Sequence, residues 1–366
     1  MSFFIYLRES GDKMANNIHN KEKLKPKTII TRVVITFVSV LLVIVLGLIG
    51  TLSIIHYGPS EAARDILVLS AMETSAGHFL ATWFLPEEEI QRIINDNSVT
   101  PTDVTTNPDL IKIPNSKDKE NENPGNGETQ FDKNKIEIVD VSGKTYKGKM
   151  MIVNDPSRVY VGTPVAYGRD KEGVRVIDMA IRDNAIAAVN GGGFEDTSGK
   201  GNGGIPIGVV FSKGKHMWGD MDKYYEVIGF DDNDILIVGY MTPRQAIERG
   251  IRDAVTFGPI LIVNGEPCEI KGTGGGLNPR TAIGQRADGS VLLLVVDGRQ
   301  ANSPGATYSD LVDIMIDFGA VNAANLDGGS SSYMVYENEI ITTRASLYQP
   351  RRMATAILVS RVDEQE

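Results

Sequence analysis

One cysteine, Cys268, and four scattered histidines in 366 residues leave little material for metal or redox chemistry. A single thiol cannot close a disulfide within the chain, and no multi-cysteine cluster or HExxH-type pair is present to hold zinc. Positive charge is also short. Thirty-seven Lys and Arg against 47 Asp and Glu give a net charge of -10, which argues against a nucleic-acid footprint, since phosphate backbones demand clustered cations. A Ser-His-Asp hydrolase has little support as well. The Ser330–Ser332 run lacks a G-x-S-x-G frame, and His216 is the only histidine in the C-terminal body, in what reads as a surface turn.

The few cations are unevenly placed. Residues 1–32 carry a net +4, which leaves about -14 on the remainder. Directly after this basic tail, Val33 to Ile55 runs without a charged residue. At 1.5 Å per residue it would span roughly 34 Å, enough for a bilayer core of about 30 Å. The basic flank predicts that residues 1–32 stay in the cytoplasm and that everything beyond residue 56 faces outward. An uncleaved anchor is preferred to a cleaved signal peptide. The apolar stretch is longer than a signal peptide needs, and Ser60-Glu61-Ala62-Ala63 is a poor cleavage site.

Residues 56–94 read as a membrane-proximal helical segment, with a partly apolar stripe and a helix start at Pro86-Glu87-Glu88-Glu89. Residues 95–135 are poor in large apolar side chains and rich in Asn, Pro, Lys and Glu, the composition of a disordered linker. Residues 136–366 form the body. Short apolar runs such as Ile136–Val141, Ala185–Val189, Ile260–Val263 and Val291–Val296 alternate with Gly, Asp and Asn turns, and two helices are expected at Pro243–Gly250 and Asp310–Phe318. The expected fold class is mixed α/β (α+β): a central mixed β-sheet with flanking helices, preceded by one transmembrane helix.

Four segments set polar residues at the ends of apolar strands. Asn190 ends the first, followed by Gly191 and two more glycines whose amides could approach a ligand. Glu195 lies just beyond as a reserve acid. Arg280 and Thr281 open an apolar strand, an uncommon place for an idle guanidinium and a suitable one for gripping phosphate or carboxylate. Asp297 ends Leu293–Val296, and Asp327 ends Ala323–Leu326 after the second helix, a spacing that could deliver both acids to one crevice. Gly328, Gly329 and Ser330 could then cradle an anion through N–H groups and a hydroxyl.

Taken in order, Asn190-Gly-Gly-Gly-Phe194, Phe257-Gly-Pro259 with Asn264-Gly265, Arg280-Thr-Ala-Ile-Gly284, Asp297-Gly-Arg299, Gly319-Ala-Val-Asn-Ala323 and Asn325-Leu-Asp-Gly-Gly-Ser330 closely resemble the phosphodiester glycosidase family. The likeness covers roughly residues 160–362, including Arg351-Arg352-Met353-Ala354. It implies hydrolysis between a sugar's anomeric carbon and a phosphodiester. On that basis Asp327 and Asp297 are the candidate catalytic carboxylates, with Glu195 in reserve. Arg280 and the Gly328-Gly329-Ser330 amides are candidates for the phosphate, and Asn190, Gly191, Thr281 and Asn325 line the expected substrate site. The expected partner is a glycosyl phosphodiester or sugar-phosphate polymer of the cell envelope, such as one carrying α-linked N-acetylglucosamine. No nucleic acid is expected, and the membrane is contacted through residues 33–55. No cofactor is required, although Asp297, Asp327, Asn190 and Asn325 could hold a divalent cation in a metal-dependent phosphodiesterase. The other alternative is a non-catalytic module that binds glycosyl phosphates in exopolysaccharide assembly or export.

Overall fold

Short runs of branched apolar residues cut by Gly, Asp and Asn favour strands over helices, because each run buries a pleated face before a turn residue reverses it. The computed structural model describes residues 26–74, 77–114, 132–196, 201–346 and 348–362. The chain divides into two units, Met1–Pro59 and Ser60–Glu366. The first contains α1 (Pro26–Tyr57), a helix long and apolar enough to cross a membrane, as either an anchor or a signal sequence would be.

The second unit holds three sheets. A seven-stranded sheet runs in the order β1 (Ile136–Ser142), β2 (Lys147–Val153), β13 (Val291–Val296), β12 (Arg280–Arg286), β14 (Ala320–Leu326), β10 (Ile260–Val263) and β11 (Glu266–Pro267). A five-stranded sheet follows the order β16 (Glu339–Ile340), β15 (Met334–Tyr336), β4 (Ala185–Asn190), β17 (Ala356–Ser360) and β3 (Val159–Gly162). The other five-stranded sheet has the order β6 (Lys215–Trp218), β5 (Val210–Ser212), β9 (Ile251–Thr256), β7 (Tyr225–Asp231) and β8 (Leu236–Met241). The mixed α+β class is as expected, but the single central mixed sheet is not. Every pairing among the described strands is antiparallel. A helix joins β13 to β14, yet the two strands are not neighbours in the sheet. Instead β12 inserts between them and pairs antiparallel with both.

One core joins all three sheets. Leu293 and Leu326 from the first, Val189 and Ile357 from the second, and Phe230 and Leu236 from the third belong to it, each nearly or fully buried. Helices cover the remaining faces. On the seven-stranded sheet, α7 (Tyr308–Asp317) packs Leu311, Ile314 and Met315 at the spacing of one helix face. α5 (Val176–Arg182) and α6 (Pro243–Glu248) cover the other two sheets through Met179 and Ala246. Thr307 and Thr242 start α7 and α6 as capping boxes, with Asp310 and Gln245 returning the bond.

The segment before the body is part of the same unit. α2 (Glu61–Met72), α3 (Phe79–Thr82) and α4 (Glu87–Asp96) bury Val68, Leu69, Ile90 and Ile93 among themselves. The first part of the expected linker is ordered. Residues 95–114 lie along the sheets: Thr100 N–H donates to the Glu269 carbonyl at 2.8 Å, Thr106 N–H to Val238 at 3.1 Å and Lys112 N–H to Ala287 at 2.8 Å. Backbone donors paired with distant strands order this stretch, and composition carries no trace of them. Residues 115–131 of the expected linker, like the basic tail up to residue 25, lie outside the described residues.

Leu293 is fully buried where the sheets share their core. Leu293→Ala is expected to lower unfolding free energy by about 2–5 kcal/mol in urea denaturation, with an unchanged m-value.

Candidate active site

The register of the seven-stranded sheet decides which of the expected residues meet. Arg280 pairs with Val296 and Thr281 with Leu326, so the start of β12 and the ends of β13 and β14 share one end of the sheet. Side chains alternate faces, and cross-strand partners share one. Carrying the register one residue on sets Asp327 beside Arg280. Asp297, one residue past Arg280's partner, points the other way. The structure follows this geometry. Asp327 and Arg280 both line a cleft of ≈ 250 Å³, and Asp297 does not. Asp297 instead accepts the Thr343 N–H at 2.9 Å, while its own carbonyl takes the Ser303 hydroxyl at 2.8 Å. Burial raises its pKa, against the Thr343 bond and the charge of Lys149.

Asp327 is the carboxylate of the cleft. Burial pushes its pKa to about 6. Three opposing influences moderate the rise: the Ser331 hydroxyl, whose geometry falls short of a full hydrogen bond, the Arg351 charge, and the Gly328 N–H donated at 2.9 Å. The expected glycine cradle is therefore occupied from within. The Gly328 amide serves Asp327, and the Gly329 amide donates to the Pro279 carbonyl at 2.9 Å. Both glycines and Ser330 line the cleft, and Arg351 Nη1 reaches to within 3.5 Å of the Ser330 hydroxyl.

Arg280 is 4% exposed, and its charge is met by Glu73 at 2.6 Å. It donates to the Gly276 and Ala306 carbonyls and lies 4.0 Å from the centre of the Tyr308 ring. Asn190, Thr281 and Asn325 are fully buried and build the support behind the cleft. Asn190 donates to the Asp327 carbonyl at 2.5 Å and accepts from the Thr281 hydroxyl at 2.7 Å. Asn325 donates to the Gly258 carbonyl at 2.7 Å, and the Gly191 carbonyl accepts the Asp327 N–H at 3.0 Å. None of these four lines the cleft. Glu195 is exposed and outside it, and the next residue, Asp196, is inside, paired with Arg351 at 2.9 Å. The chain pairs at Phe194–Pro206 and sends consecutive side chains in opposite directions. Among the described residues, no group of three or more His, Cys, Asp or Glu side chains is arranged to hold a metal ion. The cation set imagined from Asp297, Asp327, Asn190 and Asn325 is not assembled at the cleft, because of the four only Asp327 lines it and Asp297 faces elsewhere.

Several cleft residues were not singled out from sequence: Glu73, Asp196, Asn278, Arg299, Tyr308 and Arg351. Arg299 and Arg351 stand inside stretches that carried the family likeness, so a signal for them existed. Glu73 had none. It follows α2, and its carboxylate accepts the Gly276 N–H at 2.8 Å and the Asn278 amide at 3.0 Å across some 200 residues of chain.

The phosphodiester glycosidase family model matches residues 183–360, the stretch that supplies most of the cleft. This part of the chain belongs to the phosphodiester glycosidase family. Over 202 residues the chain is 30% identical to the SPbeta prophage-derived protein YomE of Bacillus subtilis, an alignment covering 51% of this chain and 29% of that one. It is 23% identical over 244 residues to N-acetylglucosamine-1-phosphodiester alpha-N-acetylglucosaminidase of Mus musculus, covering 59% and 46%. The chain thus spans less than half of either relative. Its fold is shared with the catalytic domain of the zebrafish N-acetylglucosamine-1-phosphodiester alpha-N-acetylglucosaminidase, with a TM-score of 0.51 and 22% identity over 62% of this chain and 83% of that one.

A carboxyl whose folded pKa is raised binds a proton that the unfolded chain has already lost. Asp327 therefore contributes stability below its ordinary pKa of 3.8 and loses it as pH rises through about 6. Unfolding free energy measured from pH 4 to pH 7 should decline across that window, and Asp327→Asn should flatten this part of the slope.

Proposed function

We propose that the chain is a membrane-anchored, extracytoplasmic hydrolase. It cleaves a sugar-1-phosphodiester in an envelope glycopolymer and releases free sugar and a phosphomonoester, with α-linked N-acetylglucosamine as the first candidate sugar. The observation that carries this reading is one juxtaposition. Asp327, with a pKa near neutrality, shares a small cleft with three guanidiniums and the rings of Phe194, Phe257 and Tyr308. The cleft volume lies just under the usual range of about 300–1,000 Å³ for ligand pockets, which suits one sugar ring and its phosphate rather than a length of polymer.

The chemistry fits a single carboxylate. Water attacks the anomeric carbon and gives up its proton to Asp327. The bond from that carbon to the phosphate oxygen breaks, and its electron pair leaves with the phosphate. A phosphate oxygen is far less basic than an alcohol, so it needs less protonation on departure than the leaving group of an ordinary glycosidase. Guanidinium charge in the cleft stabilises the charge that collects there. Asp196 is engaged with Arg351 and holds that cation in place. The relatives named for action on N-acetylglucosamine-1-phosphodiesters support the choice of sugar. The basic residues before α1 support an orientation with residues 1–32 in the cytoplasm and the cleft outside.

The test is to incubate the full chain in detergent micelles with UDP-N-acetylglucosamine or an N-acetylglucosamine-1-phosphodiester and to follow free sugar. Asp327→Asn should lower kcat by about 10²–10⁴-fold. The wild-type kcat/KM should fall on the acid side of pH about 6, where Asp327 takes up its proton. Undiminished turnover in Asp327→Asn would remove the proposed role. Tight ligand binding with no sugar released from any glycosyl phosphodiester would favour the non-catalytic module. Protease added outside intact cells should digest the Ser60–Glu366 unit but spare the N-terminal tail, and the reverse pattern would refute the orientation.

A further inference from the structure

The three guanidiniums of the cleft are not equally available. Arg280 is buried, with its charge met by Glu73 at 2.6 Å and its face on Tyr308. Arg351 is paired with Asp196 at 2.9 Å and donates to the Gly201 carbonyl. Arg299 differs. Among the described residues no acidic side chain forms a salt bridge with it. The two hydrogen bonds of its guanidinium, to the Thr74 hydroxyl at 2.9 Å and the Asn278 side-chain oxygen at 3.2 Å, go to neutral acceptors, and both use Nη2. That leaves Nη1 for an incoming oxygen, on a side chain still open to solvent.

We propose that Arg299 is the residue that takes the charge of the substrate's phosphodiester, aimed by Thr74 and Asn278, and that Arg280 is a positioning residue held by Glu73. The assignment rests on the hydrolase reading of the same cleft and names its anion subsite. Three further observations support it. The Gly328 and Gly329 amides already serve Asp327 and Pro279, so the loop cannot offer both N–H groups to a phosphate. Gly329 adopts a φ of +65°, and a Cβ there would come within 3.2 Å of the Arg299 guanidinium. The guanidinium thus lies against the loop that carries Asp327, and an anion on Arg299 sits beside the carboxylate meant for the anomeric carbon. Arg299 itself holds a left-handed backbone at φ +59°, uncommon outside glycine and sustained only where surroundings fix it. Electrostatics point the same way. The packed atoms around Arg299 and the like charge of Arg280 depress its pKa, with Glu73 offsetting part of this, and a bound anion would offset that depression.

Thr74 gives the segment before the body a role in the reaction. Its hydroxyl donates to the Ser70 carbonyl at 2.9 Å, which leaves its lone pair for Arg299. The α2 segment thus supplies both Glu73 for Arg280 and Thr74 for Arg299.

Calorimetric titration of the full chain in micelles with inorganic phosphate, beside kinetics on an N-acetylglucosamine-1-phosphodiester, tests the division of labour. Arg299→Gln should weaken phosphate binding by about tenfold or more and raise KM, because a charge-assisted bond to the anion is lost. Arg299→Lys should recover part of both, which a merely structural role would not predict. Thr74→Val should raise KM with kcat nearly unchanged. The double variant Glu73→Gln/Arg280→Met removes the buried pair as a unit and should bind phosphate more tightly than Arg299→Gln does. Wild-type phosphate affinity in folded Arg299→Gln overturns the proposal, as does a loss in the double variant equal to that of Arg299→Gln. Failure of the hydrolase reading looks different. Wild-type protein would then bind phosphate through Arg299 yet liberate no sugar.

Discussion

Where the end of β14 meets the end of β4, the peptide of Asp327 is gripped on both sides. Its N–H donates to the Gly191 carbonyl at 3.0 Å, and its carbonyl accepts the Asn190 side-chain amide at 2.5 Å. The same asparagine accepts from the Thr281 hydroxyl on β12, so one buried side chain ties two strands of the seven-stranded sheet to a strand of another sheet. A typical hydrogen bond contributes only about 1 kcal/mol net, but leaving any of these buried groups unpaired costs about 1–3 kcal/mol. The joint is therefore cheap to keep and costly to lose. Gly191 is required there for space, since a Cβ would fall 2.5 Å from the Thr355 hydroxyl oxygen.

That joint determines what the Asp327 side chain can do. Its backbone is fixed between two sheets, so the carboxyl is set at the cleft by the scaffold and has little freedom to seek solvation elsewhere. Burial then raises its pKa towards neutrality, and the Ser331 hydroxyl, a nearby cation and a neighbouring amide moderate the rise. A carboxylate in this condition is a better proton acceptor than an ordinary aspartate and remains mostly ionised at neutral pH.

The charges around it are sorted by burial. Stripping one partner from a buried ion pair leaves an uncompensated charge, so Arg280 and Glu73 stand or fall together. An arginine enclosed in this way is a wall rather than a hand. The Arg299 guanidinium has only neutral partners. The residues that follow α2 supply part of this sorting, Glu73 for Arg280 and Thr74 for Arg299.

Much of this was legible in the chain. The strands announce themselves through apolar runs such as Val291–Val296, the capped helices through Thr242 and Thr307, and the family through the motifs that carry its likeness. Asp327 was legible because it ends an apolar strand before two glycines, a pattern that short-range sterics write directly into sequence. Asp297 also ends an apolar strand before a glycine, Gly298, and local sequence did not separate the two. The difference lies in which face of the pleat each presents, and that depends on β12 inserting between their strands. Glu195 and Asp196 are separated by the same alternation. Glu73 and the ordered residues 95–114 left no local trace, because their partners lie on strands far along the chain. Sequence alone determined the elements, the apolar N-terminal helix and the residue types available for catalysis, since propensity and patterning act over a few residues. Tertiary structure decided which carboxylate faces the cleft and which guanidinium is left unpaired, since register and long-range pairing exist only once distant segments meet.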